Sequence, residues 1–146
     1  MMTNRILDSL RSLVSLDESV LVNLEDALKS TDVNNIQRQM NLLPPLYAYL
    51  SMVQEHYKEQ LSQMQAALES WEGECYLVFK TQRGGTIREV ESQIKSQPEF
   101  VRRKEEIAKM TRRVQTLQGV LRSLEMKQIL LVQQGAYFRR EMEMAH

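Results

Sequence analysis

Apolar side chains recur seven apart through the last third of this chain, and that repeat limits what the chain can become more than any other feature. Phe100, Ile107, Val114 and Leu121 form one set at this spacing, and Met110, Leu117, Leu124, Leu131 and Phe138 form a second, offset from the first by three. A stripe that advances by threes and fours stays on one side of an α-helix, whereas on a strand it would scatter over both faces. No proline interrupts it from Phe100 to the C-terminus. An earlier seam behaves alike: Leu46, Leu50, Val53, Tyr57, Leu61, Met64, Leu68, Trp71, Cys75 and Val78 follow steps of four and three, with one stutter from Tyr57 to Leu61.

Composition removes the competing fold classes. Aromatic content is 6%, with five Gly and three Pro, too little for strands and their turns. Straight-chain helix formers dominate, and the predicted class is all-α. The two seams face each other naturally in an antiparallel hairpin of long, coiled-coil-like helices covering residues 45–146, with an elbow at 81–96. Three signals build that elbow. Arg83-Gly84-Gly85 stops the first helix. Thr86-Ile87-Arg88-Glu89 has capping-box spacing and opens a short helix with Ile87, Val90 and Ile94 on one side. Ser96-Gln97-Pro98-Glu99 reads as a second box with proline in the first turn.

Residues 1–44 read as a separate acidic module of small helices. Ile6, Leu7, Leu10, Leu13 and Val14 form one amphipathic stripe; Asp17 is placed to cap a second helix that buries Val20, Leu21, Leu24 and Leu28; a third turn is expected from Asp32 to about Leu42. Pro44-Pro45 predicts the end of this module and the start of the first long helix.

A hairpin leaves apolar surface uncovered near the C-terminus, where Gln128 and Gly135 occupy positions the seam assigns to apolar side chains. The expected remedy is a homo-oligomer, with Leu124, Ile129, Leu130, Leu131, Val132, Tyr137 and Phe138 as its interface. A lone cysteine, Cys75, fits a reducing compartment and a packing role on the seam. With neither a signal-peptide core nor a long apolar run, the chain reads as cytoplasmic.

Catalytic and metal-binding arrangements are not expected. His56 and His146 stand alone, without an acid, thiol or second histidine at ligand spacing, and read as surface or packing residues. Gly84-Gly85 lacks the flanks of a phosphate-binding loop. The chain therefore reads as non-enzymatic, without metal or cofactor.

Charge supplies the functional signal. Residues 1–73 carry five Lys/Arg against ten Asp/Glu, a net of −5, and residues 74–146 carry fourteen against nine, a net of +5. Arg102, Lys109 and Arg113 fall near one line along their helix, as do Arg88 and Lys95 on the short one. Lys80 and Arg83 stand at the corner, preceded by Tyr76 and Phe79. Cations for phosphates and flat rings for bases are what single-stranded nucleic acid requires. The competing reading is a solvated helix face, since Arg102 with Glu106 and Glu105 with Lys109 are i,i+4 pairs.

From Leu46 onward the order of parts resembles the UvsY-like recombination mediator proteins of tailed bacteriophages. The likeness rests on a long helix running into Tyr76-Leu77-Val78-Phe79-Lys80, a short polar turn, Thr86-Ile87-Arg88-Glu89-Val90-Glu91, Lys95, and a Ser-x-x-acidic corner before a second long helix. It extends to the ending Leu130-Leu131-Val132-Gln133-Gln134-Gly135-Ala136-Tyr137-Phe138-Arg139-Arg140-Glu141-Met142, and so covers residues 46–142. The resemblance implies a non-enzymatic helical protein that forms a ring, binds single-stranded DNA and helps load a RecA-like recombinase onto strands coated by a single-stranded-DNA-binding protein. It also implies DNA contacts at Lys80 and Arg83. The acidic residues 1–44 depart from that pattern. Two other readings stay open: a structural coiled-coil or assembly protein, and a phage-encoded inhibitor directed at a host protein.

Overall fold

The computed structural model of the chain describes residues 2–29 and 36–145, and the side chains of residues 2–4, 6, 13 and 29 fall outside the description. The burial expected for Ile6 and Leu13, the helix start at Asp32 and the role of His146 lie outside the described residues. Helix is the only regular secondary structure among those described: α1 (Met2–Leu13), α2 (Glu18–Lys29), α3 (Ile36–Arg83), α4 (Ile87–Lys95) and α5 (Pro98–Met144). None is long and apolar enough to cross a membrane.

The helix expected to begin at Pro44 does not. α3 starts earlier and carries both prolines inside it. Each proline lacks the N–H that would bond the carbonyl four residues back, at a cost of about 3 kcal/mol in a helix interior. Both are exposed, so water can reach the carbonyls they leave unpaired, while Leu43, Leu46 and Leu50 on the other side are buried. Burying a leucine contributes about 1.5–3 kcal/mol. Three of them offset much of the proline penalty.

The chain divides into two compact units: Met1–Glu55 with Arg113–His146, and His56–Arg112. In the first, Leu7, Leu10 and Val14 of the α1 segment, Leu21, Leu24 and Ala27 of α2, Leu43, Leu46 and Leu50 of α3, and Leu117, Val120, Leu121, Leu124 and Leu131 of α5 make the core. Val20 and Leu28 are only half-buried; Ala27 takes the place expected of Leu28. α3 and α5 run in opposite directions here. Tyr47 donates to Glu125 Oε1 at 2.6 Å and Gln54 Nε2 donates to Gln118 Oε1 at 2.8 Å, so an advance of seven on α3 matches a retreat of seven on α5. The phenol–carboxylate bond raises the Tyr47 pKa.

Gln54 is 4% exposed. Just ahead of the stutter, it carries an amide into an otherwise apolar seam. Burying that amide without partners would be costly, and its bonds to Gln118 and, at 3.4 Å, to the Val114 carbonyl remove the penalty.

In the second unit the core is thinner. Leu68, Val90, Ile94 and Met110 are buried, whereas Leu61, Met64, Trp71, Cys75, Phe100 and Ile107 are half-buried. Val78 and Ile87, both expected on inner faces, are exposed. Burial pushes the Cys75 thiol up, with Glu74 adding to the effect, which disfavours the reactive thiolate and agrees with a packing role.

Candidate nucleic-acid interface

The corner is built by local rules. Gly84, at φ +66, closes α3 as its N–H donates to the Lys80 carbonyl, and Gly85 follows at φ +106. Thr86 then opens α4 with both halves of a capping box: Glu89 N–H donates to Thr86 Oγ1, and Thr86 N–H donates to Glu89 Oε2. The second expected box is not formed. Ser96 turns back, its hydroxyl donating to the Gln93 carbonyl at 2.7 Å, and Gln97 supplies the carbonyl that receives the first N–H groups of α5. Pro98 does occupy the first turn, where a missing N–H costs nothing.

Tyr76, Phe79, Lys80 and Arg83 stand at i, i+3, i+4 and i+7 and therefore share one face of the last two turns of α3. Both cations are exposed and both rings are half-buried. The Arg83 guanidinium lies over the Phe79 ring, 5.9 Å from its centroid. Lys80 Nζ donates to the Gly85 carbonyl at 2.6 Å, tying the end of α3 across the turn to the residue before Thr86.

The remaining expected cations separate into different situations. Arg88 and Lys95 are exposed on α4 without ion pairs among the described residues, and Lys95 shares a shallow cleft with Glu72, Glu91 and Ile94. Two carboxylates beside it weaken its pull on an anion. Arg102 is committed: its guanidinium reaches Glu99 at 2.6 Å and Glu106 at 2.8 Å. Those contacts hold the Glu99 carboxyl below its ordinary range, Arg102 first and Arg103 next. Lys109 is exposed, and the expected Glu105–Lys109 pair is not made. Arg113 belongs to the other unit, so it cannot be counted with the corner.

Two cations escaped the sequence reading. Arg103 bonds Glu99 at 3.0 Å and sits over Trp71, 5.8 Å from its centroid, bridging α5 to α3 within the second unit. Lys104 lies over Phe100 at 5.8 Å. The i,i+4 spacing of Glu99 and Arg103 was visible, but the contact with Trp71 joins residues far apart in sequence.

The expected oligomer interface is also divided. Ile129, Leu130, Val132 and Tyr137 are exposed by about half or more, and Phe138 by 38%. Leu124 and Leu131 are 1% exposed and packed inside the chain, so they add nothing to its exposed apolar surface. Ile129 and Val132 line a surface groove together with Glu125, Gln128 and Gln133.

Among the described residues no group of three His, Cys, Asp or Glu side chains could hold a metal ion. His56 is exposed, within 3.2 Å of the Gln60 amide. Comparison with family models, with curated proteins and with solved structures gives no match.

Proposed function

We propose that this chain is a single-stranded DNA-binding recombination mediator, serving DNA recombination and repair by helping to load a RecA-like recombinase onto strands covered by a single-stranded-DNA-binding protein. It acts without making or breaking bonds, as a cytoplasmic homo-oligomer of antiparallel helical hairpins, ring-shaped as in the UvsY-like proteins of bacteriophages. One observation carries the DNA reading: Lys80 and Arg83 share an exposed face at the end of α3, with Arg88 exposed at the start of α4 in the same unit. Cations so grouped neutralise successive phosphates, and multiple copies multiply the effect.

Mutating Lys80, Arg83 and Arg88 together to Ala tests it. Binding of a labelled single-stranded oligonucleotide at moderate salt should fall at least tenfold and its salt dependence should flatten by about two in slope, at roughly 0.7 per lost phosphate contact. Unchanged binding removes the site.

A structural coiled-coil or assembly role is the second reading, favoured by Arg102, whose positive charge is consumed by its own helix. On that reading the exposed apolar groups of α5 are the working surface, and the protein assembles but leaves oligonucleotide unbound.

A further inference from the structure

We propose that the first compact unit carries a small anion site between α1 and α5, suited to the phosphate group of a small phosphorylated molecule. It stands apart from the DNA reading, since none of its residues belongs to the corner. A cleft of about 280 Å3 opens here, lined by Arg5 and Ser9 of α1 and by Gln115, Thr116, Gly119 and Val120 of α5. Both stretches belong to the same unit. Spacing builds each wall. Arg5 and Ser9 are four apart, and Gln115 and Thr116 stand four and three before Gly119, so each set shares a face of its helix. Val120 is fully buried behind them. Gly119 is exposed, and no atom lies within 4 Å of where its β-carbon would stand, so its missing side chain leaves that space to a ligand.

The cleft is one-sided in charge. Arg5 is exposed and makes no ion pair among the described residues, not even with Asp8 three positions on. No carboxylate is among the described residues that line the space, whereas two flank Lys95 in its cleft. Arg122, one turn beyond Gly119, is also exposed and makes no ion pair among the described residues. The hydroxyls are a separate sign. A serine or threonine within a helix can satisfy its hydroxyl at a carbonyl one turn back, and on α1 and α5 the described Ser12, Thr111 and Ser123 all do so. Ser9 and Thr116, both half-buried, have no such bond among the described residues and keep their donors for a ligand. A guanidinium fork, two hydroxyls and an amide offer more donors than a two-oxygen carboxylate can use, and a phosphate group, with three terminal oxygens, takes them better. Ordinary small-molecule sites span about 300–1,000 Å3, so a cleft just below that range suits a phosphate with one small group attached.

Equilibrium dialysis of the full-length protein against radiolabelled inorganic pyrophosphate, in chloride buffer at constant ionic strength, tests the site. The expected result is saturable binding that inorganic phosphate displaces and acetate does not. Arg5→Gln should weaken it by about tenfold or more, the loss of one charge-assisted contact. Gly119→Leu should weaken it by a similar factor while circular dichroism stays helical, because leucine favours a helix over glycine and meets open space. The triple Ala variant of Lys80, Arg83 and Arg88 should bind pyrophosphate within about twofold of the wild type, as distant sites do. Absence of binding, equal binding by the wild type, Arg5→Gln and Gly119→Leu, or loss of binding in the triple variant overturns the site. Equal displacement by acetate overturns the phosphate assignment. Displacement of pyrophosphate from the triple variant by a thymidine oligonucleotide would give the cleft to the phosphates of a strand and overturn the small-molecule assignment. None of these outcomes bears on oligonucleotide binding at the corner, which stands or falls by its own titration.

Discussion

At Gly85 the backbone takes φ +106, and a β-carbon there would stand 2.6 Å from Glu89 Oε2, the carboxylate that closes the capping box of α4. Gly85→Ala therefore meets strain twice, in the backbone and in the cap, and should lower stability by about 1–3 kcal/mol in urea denaturation. Gly84→Ala should cost less, about 1–2 kcal/mol, because it sits in the left-handed region with open space around it. An equal cost at the two positions would mean that the Glu89 cap contributes nothing. This stop and this box were legible in the sequence because every group involved lies within a few residues. Ser96 shows where such reading ends. Its hydroxyl had two local acceptors or donors within reach, the N–H of Glu99 ahead and the carbonyl of Gln93 behind, and it bonded the one behind. Spacing alone cannot rank two short-range choices of similar energy.

On the scale of elements the prolines decide most. Pro44-Pro45 has the composition of a helix boundary, yet α3 runs from Ile36 through both. The information that overrides them is spread over Leu43, Leu46 and Leu50, whose burial depends on partners elsewhere in the first unit. Replacing both prolines with alanine should raise the unfolding free energy measured in urea by up to about 6 kcal/mol in all, since a proline inside a helix costs about 3 kcal/mol relative to alanine. A helix that truly began at this pair would be unchanged or weakened by the same substitution. The heptad seams coincide with buried side chains where packing is dense, as at Leu117, Leu121 and Leu124, and depart from them where it thins, as at Val78 and Phe138. Gln54 was not legible at all, because a polar residue earns a buried place only through its partner sixty-odd residues away.

On the scale of the whole chain, charge and apolar exposure set what the molecule can bind. The −5 and +5 of the two sequence halves do not survive folding into units. Met1–Glu55 with Arg113–His146 carries nine Lys/Arg against ten Asp/Glu, and His56–Arg112 carries ten against nine. Any polyanion site must therefore arise from local grouping of exposed cations rather than from a basic body. The C-terminal stretch of α5 makes a parallel distinction between neighbours. Leu130→Glu, at 52% exposure, should leave stability within about 0.5 kcal/mol and lower the assembly mass in sedimentation, whereas Leu131→Ala, at 1%, should cost about 2–5 kcal/mol of stability. A wild-type protein that sediments as a monomer at high concentration would end the proposal of an oligomer. By itself the sequence determined the all-helical class, the two seams, and the glycine stop with its capped successor, because these follow from periodicity and from groups a few bonds apart. Only the tertiary structure decided that α3 passes through its prolines, that Leu124 and Leu131 face inward, and that Arg102 is spent on carboxylates while Arg83 remains exposed. Each of those outcomes depends on which distant side chain or which solvent fills the space next to a residue, and spacing along a chain carries no record of that.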